Sequence, residues 1–283
     1  MSQHEAPSYK YLELTRRGRA LTVTIDHPPI NLIAVPLAQE LSALVASVAA
    51  DDTLTVLRLK SANPEFFLAH FDVEAILSFP TDTPAEREQE LNWYHQLCER
   101  LRTMNKVTIA QIEGRVGGGG SEIAASCDMR FGVPGQSTVC QMEVPLGILP
   151  GGSGTQRLPR LVGRGRALEI ILAGDDIDAE TAERWGYFNR LFPAGQIDAE
   201  VEALADRIAS FPPEAVRLAK RSVDASSLPI EEGLREEAYL FQRLLRTDGA
   251  QRNMRRFLER GGQTRAVELR VGAVGAELGV QPD

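Results

Sequence analysis

The segment GRVGGGGSEIAASCDM, residues 114–129, places four consecutive glycines directly before a run of residues typical of a helix. Ordering a glycine costs more backbone entropy than ordering any other residue, so such a run needs a reason. The glycines either form a flexible connection or let the main chain approach something closely. The acidic side chain of Glu122, just after the run, makes the second explanation worth pursuing.

Before residue 150, strand-like and helix-like segments follow one another in β-α units. Alternating apolar residues predict strands, and apolar residues on one face predict a helix over 36–50. The predicted strands are LTVTID (21–26), TVLRLK (55–60), a short one near 66–69 and VTIAQIEG (107–114). A charged surface helix is predicted over 84–104, and MRFGV and STVCQ are predicted to pair across the Pro134–Gly135 turn. This alternation indicates a layered α/β core.

After Leu191 the sequence is mainly helical in pattern. The predicted helices cover 198–210, 214–222, 231–246 and 248–260, and the prolines at 212 and 213 separate the first two. The last segment, VGAVGAELGVQPD, is predicted to be a loose tail.

Composition narrows the class of protein. The chain has 283 residues, of which 43% are hydrophobic and 25% are charged, as in an ordinary globular protein. A net charge of −8 argues against a nucleic-acid partner. No apolar run approaches the roughly 20 residues that span a bilayer, and the first ten residues lack the apolar centre of a signal peptide, so no membrane partner is expected. Cys98, Cys127 and Cys140 lack metal-site spacing, which predicts buried thiols, no metal and a cytoplasmic location.

The glycine run does not match the common nucleotide-binding or hydrolase motifs. A P-loop needs a lysine after its glycines, and the G-x-G-x-x-G pattern fails here at its last glycine. The segment GGSGT, 151–155, lacks the final glycine of a G-x-S-x-G serine elbow.

An oxyanion hole is the remaining functional explanation. The free N–H groups at a helix start can bind a polarised carbonyl oxygen, with Ser121 as the N-cap and Glu122 in the first turn. A carboxylate at that place suits acid–base chemistry on a thioester or ester. A glycine hinge followed by an exposed glutamate that favours the helix dipole explains the same residues. From this segment alone both explanations stay open.

Four segments, taken in their order along the chain, resemble a known family and favour the oxyanion hole over the glycine hinge. They are FFLAHFD (66–72), IEGRVGGGGSEIAASCDMRF (112–131), MEVPLGILPGGSGTQRLPRLVG (142–163) and ALEIILAGDDIDAETAERWGYFNRLFP (167–193). Together they resemble the enoyl-CoA hydratase/isomerase (crotonase) superfamily over about residues 10–260. The resemblance implies an α/β spiral of ββα units in residues 1–200, a helical trimerisation region in 201–265 and a tail in 266–283.

The resemblance also implies a site and its partners. The substrate is an acyl-CoA whose thioester oxygen accepts from the backbone N–H groups of Phe71 and Gly119, and Glu122 and Glu143 are the catalytic carboxyls. The implied substrate-binding residues are Ala69, His70, Asp72, Val73, Glu74 and Gly118. Coenzyme A enters as part of the substrate, with no separate cofactor, and the assembly is a homotrimer or a dimer of trimers.

Three departures from the family pattern bear on the implied site. His70 replaces a glycine, and it either fills space with a bond to a backbone carbonyl or lines the acyl channel and alters the chemistry. Glu74 stands where many members have a lysine that helps to hold coenzyme A. The spacing from Asp128 to Glu143 is one residue longer than usual, which the turn at Pro134–Gly135 can absorb.

Two glutamates favour a hydratase, which adds water across an α,β-unsaturated acyl thioester. Other reactions of the superfamily remain alternatives: double-bond isomerisation, decarboxylation and thioester hydrolysis. A non-catalytic acyl-CoA-binding protein is a third hypothesis, for which His70 is the main reason. Trp93 and Tyr94 are predicted to pack on a surface helix rather than to border the acyl pocket.

Overall fold

The chain forms two β-sheets with helices around them, as described for residues 9–279 by a computed structural model. The larger sheet contains, in spatial order, β1 (Leu12–Arg17), β2 (Ala20–Ile25), β3 (Val56–Ser61), β5 (Val107–Ile112), β7 (Met129–Gly132) and β10 (Arg190–Leu191). The smaller sheet contains β4 (Phe66–Leu68), β6 (Arg115–Gly117), β8 (Thr138–Cys140) and β9 (Ile177–Asp178). Only the outer pairs β1–β2 and β8–β9 are antiparallel, and the remaining pairs of both sheets are parallel.

Helices follow the strand pairs and then dominate the C-terminal part. The first seven are α1 (Val35–Ala50), α2 (Val73–Leu77), α3 (Trp93–Thr103), α4 (Gly118–Ser126), α5 (Gly154–Val162), α6 (Arg164–Ala173) and α7 (Ala179–Trp185). They are followed by α8 (Ile197–Ser210), α9 (Pro213–Asp224), α10 (Ile230–Leu245), α11 (Asp248–Glu259), α12 (Arg265–Glu268) and α13 (Val271–Glu277). Single turns of 3₁₀-helix cover Val144–Leu146 and Ala225–Ser227.

The strands alternate between the two sheets, and this alternation produces a spiral. The pairs β3–β4, β5–β6 and β7–β8 each place one strand in the larger sheet and the next in the smaller sheet, and a helix follows each pair. Because each turn of this ββα unit adds one strand to each sheet, both sheets grow mainly by parallel pairing.

The predicted pairing of MRFGV with STVCQ is wrong. β7 pairs in parallel with β5 and β10, whereas β8 pairs with β6 and β9 in the other sheet. The short connection between them turns the chain from one sheet to the other, and the Ser137 N–H donates to Val133 O at 3.0 Å within it. A turn signal therefore marks a change of sheet here rather than a hairpin.

The predicted surface helix over 84–104 is shorter and less exposed than expected. Residues 80–92 are not helical, because their side chains are exposed and offer no apolar face, and Pro84 lies among them. The helix starts only after Asn92, whose side chain accepts from the His95 N–H at 2.9 Å. Its apolar face is buried through Tyr94, Leu97, Cys98 and Leu101.

The C-terminal helices agree with the predicted ones, and α8 packs on the larger sheet through Ile197, Val201 and Ala205. The segment from 266 onward contains two short helices instead of the predicted loose tail, as far as Gly279. Val267 and Val274 are buried there, and the Arg207 side chain donates to Gly272 O at 2.6 Å. The rest of the predicted tail, 280–283, lies outside the described residues.

Candidate active site

Three neighbouring strands of the smaller sheet end at the same edge and deliver the predicted site residues there. β4 leads directly into Ala69-His70-Phe71, β6 leads into α4, and β8 leads into Gln141 and Glu143. Because the three strands are parallel neighbours, their carboxyl ends lie side by side. The structure therefore brings together residues that are more than 70 positions apart in the sequence.

The glycine run lets α4 pack closely against the strand ends. A methyl group at Gly119 would lie 3.3 Å from the Phe71 amide nitrogen and 2.7 Å from the Tyr94 hydroxyl oxygen. The backbone of Gly118 has a φ of +45°, which glycine adopts easily, and a methyl group there would lie 3.0 Å from Glu143 Oε1. The run is therefore a close-packed helix start rather than a flexible hinge.

Two backbone N–H groups, one at this helix start and one in the neighbouring loop, are placed to bind a ligand. The Phe71 N–H makes no hydrogen bond among the described residues. The Gly119 N–H lies in the first turn of α4, where N–H groups lack an intrahelical acceptor. Both groups border the same cavity, so they can donate to one ligand oxygen.

The predicted N-cap is wrong, because α4 begins four residues earlier than an N-cap at Ser121 implies. Gly117 occupies the N-cap position, and the Ser121 hydroxyl contacts the Tyr187 hydroxyl at 3.1 Å inside the core. Glu122 consequently lies beyond the first turn, one turn from the free N–H groups and buried rather than exposed. The helix can start within the glycines because they carry no side chains, and a methyl group at Gly118, Gly119 or Gly120 would meet close neighbours.

Glu122 is held by two backbone donors in an apolar environment. Only 3% of its surface is exposed, and its Oε1 accepts from the Gly152 N–H at 2.8 Å and the Gly154 N–H at 2.7 Å. Burial raises the pKa of Glu122 to about 7, and the nearby Glu143 adds to this rise while the two N–H donors oppose it. A carboxyl with this pKa can take up or release a proton near neutral pH.

Glu143 enters the same cavity from the end of β8. It is 9% exposed, and the Gln141 amide nitrogen donates to its two oxygens at 3.3 and 3.2 Å. Burial raises the pKa of Glu143, and the Gln141 hydrogen bonds and the nearby His70 partly oppose this rise. The site thus contains two buried carboxyls whose pKa values both lie above the usual range.

The other predicted substrate-binding residues differ in their placement. His70 and Val73 line the cavity, and the His70 ring contacts Phe71 O through Nδ1 at 2.8 Å. Gly118 is not among the lining residues and packs against His70 and Glu143. Asp72 instead caps α2, because its side chain accepts from the Glu74 N–H at 2.9 Å. Glu74 is exposed and is not among the cavity-lining residues, and Ala69 is buried behind the site.

The prediction that Trp93 and Tyr94 pack on a surface helix rather than border the acyl pocket is wrong, because both side chains line the cavity. Gln141 also belongs to the site through its hydrogen bonds to Glu143, and the sequence analysis did not identify it. The Tyr94 hydroxyl donates to Gly119 O at 2.7 Å, and its ring contacts Phe71 and Trp93 edge-on. The helical spacing of Tyr94, Leu97, Cys98 and Leu101 could have shown that Tyr94 lies on a buried face. No sequence signal distinguishes Gln141, whose role depends on where Glu143 lies.

A cavity of about 820 Å³ opens beside these groups. Phe71, Gly119, Glu122 and Glu143 form one end of its wall, and apolar side chains form most of the rest. Pockets of about 300–1,000 Å³ enclose small organic ligands. The described residues contain no group of three side chains placed to hold a metal ion.

Within residues 9–279, no helix has the length and apolar character needed to cross a membrane.

The family model described as Enoyl-CoA hydratase/isomerase matches residues 16–264. The chain belongs to the enoyl-CoA hydratase/isomerase family. The match confirms the resemblance seen in the glycine–glutamate segment and its flanking motifs, and it spans both sheets and most of the C-terminal helices.

Relatives and solved structures of this family extend over most of the chain. The chain is 31% identical over 262 residues to a 2,3-dehydroadipyl-CoA hydratase of Escherichia coli K12, covering 88% of this chain and 96% of that protein. It is 31% identical over 256 residues to a crotonyl-CoA hydratase of Syntrophomonas wolfei, and the match covers 89% of this chain and 96% of that protein. The solved structure of an enoyl-CoA hydratase from Bacillus anthracis is 25% identical, with a TM-score of 0.81 over 89% of this chain and 97% of that one. The predicted crotonase-like α/β fold is therefore confirmed.

Proposed function

We propose that the protein is an acyl-CoA hydratase that adds water across the double bond of an α,β-unsaturated acyl-CoA thioester. The pair of buried carboxyls, Glu122 and Glu143, is the observation that carries this proposal. They lie in one cavity with the free N–H groups of Phe71 and Gly119. The relatives named 2,3-dehydroadipyl-CoA hydratase and crotonyl-CoA hydratase support the same reaction.

The two N–H groups are the proposed oxyanion hole. When water attacks Cβ of the enoyl thioester, negative charge develops on the thioester oxygen. Preorganised donors at that oxygen stabilise the enolate, and removal of one such donor typically costs about 3–4 kcal/mol of transition-state stabilisation. The start of α4 contributes further, since its dipole favours negative charge at the helix N-terminus.

The carboxyls divide the proton transfers. Glu122 accepts a proton from water while the water oxygen bonds to Cβ, and Glu143 donates a proton to Cα as the enolate collapses. Glu122 must therefore be charged when Glu143 is protonated. The pKa of Glu122, about 7, lets this carboxyl exist in either form near neutral pH, and burial raises the pKa of Glu143, which favours its protonated form. Proton exchange from Glu122 to Glu143 restores the starting state.

Substitution of each carboxyl tests the proposal. Glu122→Gln and Glu143→Gln keep size and hydrogen bonding but cannot transfer a proton, so each should lower hydration by about 10²- to 10⁴-fold. The loss of enoyl-thioester absorbance measures hydration, and titration with a saturated acyl-CoA should show little change in affinity. The double variant should lose less than the product of the single losses, because the two groups act as a unit.

Other outcomes would select an alternative. Normal hydration by Glu143→Gln together with an inactive Glu122→Gln would exclude the two-carboxyl mechanism and favour double-bond isomerisation. Binding of acyl-CoA without turnover of any enoyl-CoA would favour the non-catalytic hypothesis.

We extend the proposal to the setting of the reaction. Coenzyme A enters with the substrate, and no step requires a separate cofactor because both protons move through carboxyls. The three cysteines are free and buried, which supports a reducing, cytoplasmic location. A homotrimer or a dimer of trimers is the proposed assembly, and its support is the exposed apolar face of the C-terminal helices.

A further inference from the structure

The cavity extends away from the carboxyls between three apolar segments. One segment is α2 with the residues that follow it, the second is the start of α3, and the third is the turn after the 3₁₀-helix Val144–Leu146. Their apolar side chains in the cavity wall are Ile76, Phe79, Trp93, Leu146, Ile148 and Leu149. A four-carbon acyl group fixed by its thioester at Phe71 and Gly119 would leave most of this wall uncovered.

These side chains are more exposed than ordinary core residues. Phe79, Trp93 and Leu146 each have about half of their surface exposed although they line one cavity. Large apolar side chains that cluster around a concave site mark a place where apolar surface is buried on binding. The hydrocarbon part of a ligand would bury them.

The charge of the wall limits what the far end of the ligand can be. The acidic residues in the wall are Glu88, Glu122 and Glu143. Among the described residues that line the cavity there is no lysine or arginine, and His70 is the one side chain that can become cationic. A carboxylate at the far end of an acyl chain would be desolvated against apolar side chains with no paired cation, and Glu88 would add repulsion, so its binding is unfavourable.

We infer that the site takes acyl-CoA thioesters whose acyl group is an uncharged hydrocarbon chain considerably longer than butanoyl. This inference rests on the proposed function, because it assumes that the thioester lies at Phe71 and Gly119. The apolar wall binds the chain beyond Cβ, and the lack of a cation in that wall discriminates against chains that end in a carboxylate.

Calorimetric titration with saturated acyl-CoAs tests the chain class without turnover. Comparison of butanoyl-CoA with octanoyl-CoA cancels the contribution of coenzyme A, and each buried methylene should tighten binding by up to about fourfold. We expect octanoyl-CoA to bind at least about tenfold more tightly than butanoyl-CoA. We also expect adipoyl-CoA to bind more weakly than hexanoyl-CoA, which has the same number of carbons without the terminal carboxylate. Equal affinity within either pair would overturn the inference.

A matched pair of variants places the chain in this cavity. Leu149 lines the cavity and Leu172 on α6 does not, and both are 60% exposed. Leu149→Ala should reduce the preference for octanoyl-CoA severalfold, whereas Leu172→Ala should leave it unchanged. Phe79→Ala changes a different segment of the cavity wall and should act like Leu149→Ala, so it controls for a local distortion of the turn that contains Leu149. An unchanged preference in both cavity variants would show that the chain binds elsewhere.

Hydration assays with crotonyl-CoA and decenoyl-CoA separate this inference from the proposed function. Hydration of both substrates at equal kcat/KM, together with equal affinity for short and long acyl-CoAs, would overturn only the inferred preference for long acyl chains. Affinity that rises with acyl-chain length, without hydration of either substrate, would overturn the hydratase proposal while supporting the preference for long acyl chains. If no acyl-CoA binds, both fall.

Discussion

At the scale of single residues, the burial of Glu122 has a consequence for stability as well as for catalysis. Its pKa is about 7 in the folded chain against an ordinary value of 4.5, so the folded state binds this proton more tightly than the unfolded state does. The free energy of unfolding therefore falls as pH rises from about 4.5 to about 7, and the loss is on the order of 3 kcal/mol when it is complete. Below the unfolded pKa this loss is absent.

Glu122→Gln should remove this pH dependence. The amide oxygen of glutamine can still accept from the Gly152 and Gly154 N–H groups, and no charge is buried. We expect the variant to be more stable than the wild type at about pH 8 and to match it near pH 4.5, as measured by urea unfolding. Glu13→Gln makes the same change at an exposed position on β1 and should be neutral at both pH values. A stability difference independent of pH would show that Glu122 is not desolvated as described.

Tyr94 provides the second residue-level prediction. Its hydroxyl group holds the Gly119 carbonyl, and its ring packs against Phe71, so it contacts both residues of the proposed oxyanion hole. If the Tyr94 hydrogen bond positions the oxyanion donors, its loss would raise the activation free energy by about 1.5 kcal/mol and lower kcat about tenfold. We expect Tyr94→Phe to show this loss with little change in acyl-CoA affinity.

Tyr187→Phe is the matched control for Tyr94→Phe. It also removes a buried hydroxyl that contacts α4, through Ser121, but Tyr187 does not line the cavity. It should lose comparable stability and keep its kcat. If both variants retain full activity, Tyr94 only packs the core.

The residue scale also shows where sequence reasoning succeeded. The motifs identified Phe71, Gly119, Glu122 and Glu143, and the structure places all four around one cavity. Their roles stay predictions. Tyr94 was wrongly assigned to surface-helix packing, because its hydrogen bond to Gly119 joins residues 25 positions apart, which a local pattern does not reveal.

At the scale of secondary-structure elements, two glycines of α4 have different functions: Gly120 allows close packing against β4, and Gly119 borders the proposed oxyanion hole. A methyl group at Gly120 would meet Leu68, including its backbone carbonyl, whereas one at Gly119 would meet the Tyr94 hydroxyl and the Phe71 amide. The strand backbone cannot shift easily, so Gly120→Ala should destabilise the fold by about 1–3 kcal/mol. Gly119→Ala should mainly lower turnover, because it displaces the oxyanion donors.

Thermal unfolding and turnover measured on both variants check this division. Gly165→Ala is the control, because Gly165 lies in α6 with open space around it and alanine favours a helix there by about 1 kcal/mol. Equal losses of stability in Gly119→Ala and Gly120→Ala would contradict the division.

Elements with a local signal were predictable, and the pairing between elements was not. Helices α1 and α8 follow from apolar residues at helical spacing, which their buried faces confirm. The separation of β7 from β8 depends on parallel partners about 20 residues away, so a turn dipeptide misled the prediction. Residues 80–92 form no helix because their exposed side chains bury no apolar face against the rest of the described chain, which a local pattern does not reveal.

At the scale of the whole molecule, the C-terminal helices present an apolar surface that the described chain leaves uncovered. Leu234, Ala238 and Phe241 are exposed on α10, and Met254 and Leu258 are exposed on α11. Phe241 is 58% exposed. Contiguous apolar surface of this kind marks an interface in soluble proteins. A second or third copy of the chain is the partner that the family resemblance implies.

We therefore expect light scattering after size exclusion to give three or six times the chain mass of 31.0 kDa at micromolar concentration. Phe241→Glu places a charge on this surface and should shift the assembly toward smaller species, because a charge buried without a partner is unfavourable. Leu172→Glu is the control, because it places the same charge at a similarly exposed leucine on α6, outside the C-terminal region 201–265, and it should leave the mass unchanged.

A wild-type monomer at micromolar concentration would exclude the assembly, and an unchanged mass in Phe241→Glu would place the interface on another face. A smaller assembly that still binds acyl-CoA would further show that the cavity is complete within one chain, since Phe71, Gly119, Glu122 and Glu143 all come from the same chain.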